Sequence, residues 1–237
     1  MNNKKNFHHR LTSSAWWQGV IVAIPIVLGY LPVGFAFGVL AQKAGVSPLY
    51  SVLMSLVVFA GSAQLIAVGL IGAQNAPLAI ILTTFIVNLR HMLFSTAIFP
   101  YIANWRRREL AFFAFELTDE TFALHSTRSK QEFNQKAEVF AINITAHLTW
   151  IIGTGLGVFT GHRVAEVELL GLDFVLPAMF IALLIIQVKR RTHMWAAIFA
   201  GGTSVLLLWL GINQWHVIVA TLIGATIGAW IEGWKSI

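Results

Sequence analysis

Apolar residues gather into long runs parted by short polar connections: Trp16 to Leu40, Leu49 to Gly72, Pro77 to Pro100, Val139 to Gly161, Leu172 to Gln187, Met194 to Leu210 and Trp215 to Ile231. A helix needs about 20 residues to cross a bilayer core, and shorter runs cross when flanking residues snorkel. The pattern predicts about six or seven spans and an all-α fold, a polytopic membrane helix bundle with discontinuous or re-entrant helices. Residues 1–15 read as a cytoplasmic N-terminal tail and 16–237 as a single transmembrane transport domain. The tail carries Lys4, Lys5 and Arg10. The apolar run behind it, about 25 residues, exceeds a signal-peptide core and predicts a retained first helix.

Two runs are interrupted. The Leu49 to Gly72 run contains Phe59, Ala60, Gly61, Ser62, Ala63 and Gln64, where Gly and Ser weaken a helix and Gln is costly in hydrocarbon. The segment AFFAFELTDETFALHS, Ala111 to Ser126, is apolar at both ends and acidic in the middle, which predicts a broken or re-entrant helix. Lys and Arg prefer cytoplasmic loops. If every run crossed once, Arg106 to Arg108 would fall outside; the conflict disappears if Leu49 to Gly72 enters and leaves on one side and the acidic segment does not cross.

Composition agrees with a membrane class. Of 237 residues 57% are hydrophobic and 11% charged, against roughly a quarter charged in soluble domains. The formal charge of +6 is spread over short connections, a pattern suited to anionic lipid headgroups and not to nucleic acid. The absence of cysteine excludes disulfides, thiolate metal sites and thiol nucleophiles. No metal-ligand spacing, phosphate loop or nucleophile triad is visible, so no cofactor, metal or enzymatic activity is expected. Gly34 with Gly38, Gly153 with Gly157 and Gly161, and Gly224 with Gly228 are spaced for close helix packing.

In lipid, polar side chains need a partner or a watered cavity, so they mark the candidate chemistry. The run FIVNLRHMLFS places Asn88, Arg90 and His91 within a span. At 100° per residue Thr84, Asn88, His91 and Ser95 share a face and Arg90 points nearly opposite. An unpaired Arg at this depth costs at least ~2.5 kcal/mol, so Arg90 needs a carboxylate, either from a structural ion pair or from a substrate. Glu116, Asp119 and Glu120 would share one face if their segment is helical, and Arg90 is the cation available to neutralise them. Pro25, Gly29 and Pro32 in the first helix and Pro177 in the fifth are candidate helix breaks, with Asp173 four residues before Pro177. Asn143 and His147, four apart, either join two helices or line the same cavity.

In order, PIVLGYLPVGFAFGVLA (Pro25 to Ala41), MSLVVFAGSAQ (Met54 to Gln64), FIVNLRHMLFS (Phe85 to Ser95), LTDETFAL (Leu117 to Leu124) and GLDFVLPAMFIALL (Gly171 to Leu184) resemble the AzlC family. Those proteins are the large subunits of bacterial branched-chain amino-acid exporters. The resemblance implies a multi-pass protein of the cell inner membrane that works with a small AzlD-type membrane subunit. Such a pair would export valine, leucine, isoleucine and often methionine at the expense of the proton gradient. Gly61, Ser62, Gln64, Asn88, Arg90 and Asp119 are then the candidate substrate-binding residues. Arg90 or the amides of Gly61 and Ser62 would take the carboxylate, and Asp119 or Glu120 the ammonium group. Glu120, His91 and Asp173 are candidates for proton coupling, with Asp119 as another. A channel-like or sensor-like membrane protein is the competing reading.

Overall fold

Proline placement sets the start of the first long helix in the computed structural model, which describes residues 15–161, 171, 174, 177–178, 181–182, 184–185, 188, 190–211 and 216–233. Residues 15–22 are helical and turn at Ala23, and helix α1 then runs Ile24–Lys43 with Pro25 in its first turn, where a missing N–H costs little. Ala23 N–H still donates to the Gly19 carbonyl at 3.0 Å, so the chain bends without parting. Gly29 and Pro32, expected at a break, lie inside continuous α1. Pro32 withdraws one donor, and the helix passes through it.

The other elements of this first compact unit are α2 (Pro48–Val57), α3 (Gly61–Gly72), α4 (Pro77–Asn88), α5 (Arg90–Ile102), α6 (Arg107–Phe115), α7 (Asp119–His125) and α8 (Lys136–Thr160). α1 and α8 lie side by side and parallel. A Cβ on Gly34 would come within 2.9 Å of the Trp150 carbonyl oxygen, one on Gly38 within 2.3 Å of the Thr154 oxygen, and one on Gly157 within 2.0 Å of the Phe35 oxygen. The expected glycine spacing therefore builds a backbone-to-backbone seam.

Two helical hairpins flank this pair. α2 leaves from the C-terminal end of α1, and α3 returns there, since a Cβ on Gly72 would sit 3.4 Å from the Ala44 Cβ. The turn between them holds Phe59 at φ +43°, an uncommon backbone conformation for a bulky residue. α6 and α7 go down and back along α8. Glu109 meets Lys136 at 2.6 Å and Glu116 meets His147 at 3.0 Å on the way in; His125 meets Asn143 at 2.7 Å and Arg128 meets Glu138 at 2.5 Å on the way out. The Ala111 to Ser126 segment is thus re-entrant at the N-terminal end of α8, as its acidic middle predicts. Between the hairpins α4 and α5, nearly continuous across Leu89, cover Pro77–Ile102 as one apolar helix long enough to cross a bilayer.

The chain therefore repeats a span followed by a re-entrant hairpin, the second time in the opposite direction, an order found in secondary transporters with inverted repeats. Arg106 to Arg108, Arg128, Lys130 and Lys136 gather at the end where α8 begins, and Lys43 stands at the other, so the charge conflict of a simple serpentine is removed.

One buried cluster, including Ile26, Phe37, Phe59, Leu65 and Trp150, lies under the first hairpin. A second, including Ile98, Trp105, Phe113, Leu117 and Phe133, runs along the second hairpin. Leu78, Phe85, Met92, Leu93 and Phe99 are exposed along Pro77–Ile102, the surface a bilayer would cover. A separate compact unit holds α9 (Arg191–Trp209) and α10 (His216–Gly233). These two are antiparallel, with Gly224 against Ala200 and Gly228 against Ala196. Among the described residues four helices are long and apolar enough to cross a membrane. That is fewer than the expected spans: the second run is a hairpin, most of the Leu172 to Gln187 run lies outside the described residues, and the apolar stretch described in the last run, Leu222–Ile231, is shorter.

Candidate functional site

The two hairpin tips meet about halfway along α8. His147 lies about 16 Å from the start of that helix at 1.5 Å per residue. Here a polar cleft is lined by Tyr30 of α1, Ala60, Gly61 and Ser62 of the first tip, His91 of α5, Thr118, Asp119 and Glu120 of the second tip, and Trp150 of α8. Its free space, ≈ 10 Å³, holds about one water.

Arg90 joins the tips. It follows the irregular turn at Leu89, ion-pairs with Asp119 at 2.9 Å and donates to the Ser62 hydroxyl. Its Nε is buried without a hydrogen-bond partner, as is the Asn88 Oδ1. α3 begins at Gly61, so the N–H groups of Gly61, Ser62 and Ala63 have no acceptor within the helix and the positive end of its dipole is at the cleft. Gly61 is required there because a Cβ would meet the Trp150 ring at 2.8 Å.

The three carboxylates do not form a single face. Thr118, extended at φ −114° and ψ 177°, caps α7 through the Thr121 N–H, and this break separates Glu116 from Asp119 and Glu120. Glu116 turns to His147; Asp119 turns to Arg90. Glu120 accepts from the Tyr30 hydroxyl at 2.5 Å, and Tyr30 also bonds the Thr118 hydroxyl at 2.6 Å. His91 bonds the Asn88 carbonyl at 3.1 Å and lines the same cleft as Asp119. Arg90 and His91, expected on nearly opposite sides of a regular helix, reach one place through the turn at Leu89 and the length of the Arg side chain.

Gln64, a candidate binding residue, has both of its amide atoms engaged. Its Oε1 accepts from Trp150 Nε1 at 3.1 Å and its Nε2 donates to Ser55 at 3.3 Å, so it fixes the packing behind the cleft. Asp173 lies outside the described residues. Pro177 is helical and exposed, and the neighbours that would reveal a break there lie outside the described residues.

Sequence reasoning missed Tyr30, Thr118 and Trp150. A signal existed on α8, where Asn143, His147, Trp150 and Thr154 recur every three or four residues as a polar and aromatic stripe, all of them buried.

The chain matches the AzlC protein family over residues 25–164. An uncharacterized membrane protein of Archaeoglobus fulgidus is 32% identical, the match covering 94% of this chain and 98% of that protein. Inner membrane protein YgaZ of Escherichia coli is 29% identical, covering 91% of this chain and 89% of that protein. The branched-chain amino acid transport protein AzlC of Bacillus subtilis is 31% identical, covering 82% of this chain and 76% of that protein. No solved structure matches significantly. The family, these relatives and the hairpin architecture give the molecule a role in membrane transport, and the chain belongs to the AzlC family.

Proposed function

We propose that this chain is the large subunit of a secondary exporter for valine, leucine, isoleucine and methionine, driven by protons across the cytoplasmic membrane and working with a small AzlD-type subunit. The observation that carries the reading is the Arg90–Asp119 pair between two oppositely directed hairpin tips. An amino-acid zwitterion brings one carboxylate and one ammonium group. Its carboxylate takes the place of Asp119 on Arg90, helped by the free N–H groups of α3, while its ammonium group takes the place of Arg90 on Asp119, beside Glu120. The exchange strands no charge, which the low dielectric would penalise heavily. Phe94 and Phe122, stacked 4.3 Å apart, offer an apolar wall for the aliphatic side chain.

With room for about one water, the cleft admits an amino acid only when a tip withdraws, and withdrawal of one tip at a time gives alternating access. Outward direction, proton drive and the small partner are carried by the family resemblance, and the chemical class of the substrate by the named transport relative.

The test is counterflow in proteoliposomes holding this chain with its small subunit. Unlabelled leucine trapped inside should draw in labelled leucine, and Asp119→Asn should reduce this at least tenfold. Simple downhill equilibration without counterflow would favour a channel; undiminished counterflow in Asp119→Asn would remove the pair from the mechanism.

A further inference from the structure

His147 lies between the two tips and touches both. Its Nδ1 faces Glu116 at 3.0 and 3.1 Å, and its Nε2 lies 3.0 Å from the Ser55 backbone carbonyl near the end of α2. Phe59 of the first tip stacks on the imidazole with centroids 4.0 Å apart, and Phe115 meets it edge-on at 5.8 Å. Glu116 is 3% exposed and His147 7%, so water cannot substitute for either bond.

Hydrogen-bond chemistry fixes the proton count. A carbonyl only accepts, so Nε2 carries a hydrogen and donates to Ser55. Nδ1 and the carboxylate then share one further proton: either imidazolium donates to carboxylate, or a protonated Glu116 donates to neutral imidazole. Both forms are neutral overall and satisfy both bonds. Removal of that proton leaves a lone pair facing a buried carboxylate, and the contact becomes repulsive.

We infer that Glu116 and His147 form a proton-binding site whose single shared proton holds the second hairpin tip against α8 and the first hairpin, and that its loss releases that tip. The neighbouring ionisable groups are committed elsewhere: Tyr30 of α1 to Glu120, Arg90 of α5 to Asp119, and His91 of α5 to the Asn88 carbonyl. His125 of α7 bonds Asn143, while α2 and α3 present the uncharged Ser55 and Gln64. The inference rests on the transporter reading only for its transport arm. There the shared proton is the coupling proton, and Asp119 with Arg90 serves the substrate.

Two measurements test it. In proteoliposomes, Glu116→Gln donates its amide hydrogen to Nδ1 without a titrating proton. With the second tip then held at every pH, leucine counterflow and leucine accumulation driven by a pH gradient should both fall at least tenfold. Undiminished gradient-driven accumulation would overturn the inference. The second measurement needs no substrate. The natural chain lacks cysteine, so Leu117→Cys, at a position 1% exposed in the second tip, provides a single label site. Its reaction with a water-soluble thiol reagent should rise severalfold more steeply with increasing pH with Glu116 present than in the Glu116→Gln background, which controls for thiol ionisation. Equal slopes would overturn the proposal whether or not leucine is the substrate. If wild type moves no leucine and the slopes differ, the substrate reading fails and the proton site stands.

Discussion

Breaking the Arg90–Asp119 pair from either side should give unequal costs. At 2.9 Å the two charges attract by about 6 kcal/mol at an effective dielectric of about 20, before desolvation is subtracted. Desolvation offsets much of this, so the net value of the intact pair is small, whereas loss of one buried partner typically costs about 3–5 kcal/mol. Asp119→Asn leaves a guanidinium that cannot lose its proton and keeps only Ser62. Destabilisation near 3 kcal/mol is expected on these magnitudes. Arg90→Met leaves a carboxylate that can escape by taking up a proton, so it should cost about 1 kcal/mol less, one pKa unit being worth about 1.4. The double variant has no stranded charge and should fall short of the summed single costs by more than 1 kcal/mol. Unfolding in mixed micelles titrated with SDS, followed by circular dichroism, measures all four proteins. Costs additive within about 0.5 kcal/mol would refute a direct pair.

Gly157→Ala should lower stability by about 1–3 kcal/mol, the cost of overpacking, because its Cβ would fall 2.0 Å from the Phe35 carbonyl oxygen. Gly155→Ala, with nothing within 4 Å, should be neutral or slightly stabilising, and equal melting temperatures for the two would contradict the parallel seam. At the base of the second hairpin, hydrogen bonds from Lys136 and from the Arg106 amide hold the Glu109 carboxyl below its ordinary range. A lowered folded pKa contributes stability above the unfolded pKa and loses it as pH falls through the folded one. Glu109→Gln should therefore melt earlier than wild type at pH 7, with the gap closing in acid; a gap that persists at pH 2 would exclude this linkage.

Much of this layout is legible from local signals. Gly and Ser within an apolar run announced the first tip, carboxylates within another announced the second, and glycines four apart announced a helix seam. Arg90 had to meet a carboxylate because hydrocarbon gives it no alternative. Three-dimensional consequences were harder to read. Nothing near Gly34 in sequence says that Trp150 faces it, because a seam names its small residues and not its partner. The split among Glu116, Asp119 and Glu120 depends on Thr118 capping a new helix, and a threonine between apolar and acidic residues fits a continuous helix nearly as well. The packing role of Gln64 is hidden in the sequence because its partners, Trp150 and Ser55, come from a distant helix and from the opposite helix of its own hairpin. For His147 the spacing leaves an interhelical bond and a cavity lining equally open, because the two tips that touch it come from distant segments.

The α1–α8 seam has a mechanical meaning. Backbones that touch through Gly34, Gly38, Gly153 and Gly157 leave no compliant side chains between them, so the two helices slide or tilt only by losing contact along their whole shared length. They form a fixed post. The hairpin tips are tied to that post by a few hydrogen bonds and ring contacts, and the Pro77–Ile102 crossing, little of it buried, leans on the assembly from outside. Motion during a transport cycle is thus channelled into the tips and the outer crossing. Substitutions in the post should spoil how much protein folds, and substitutions at the tips how fast it turns over.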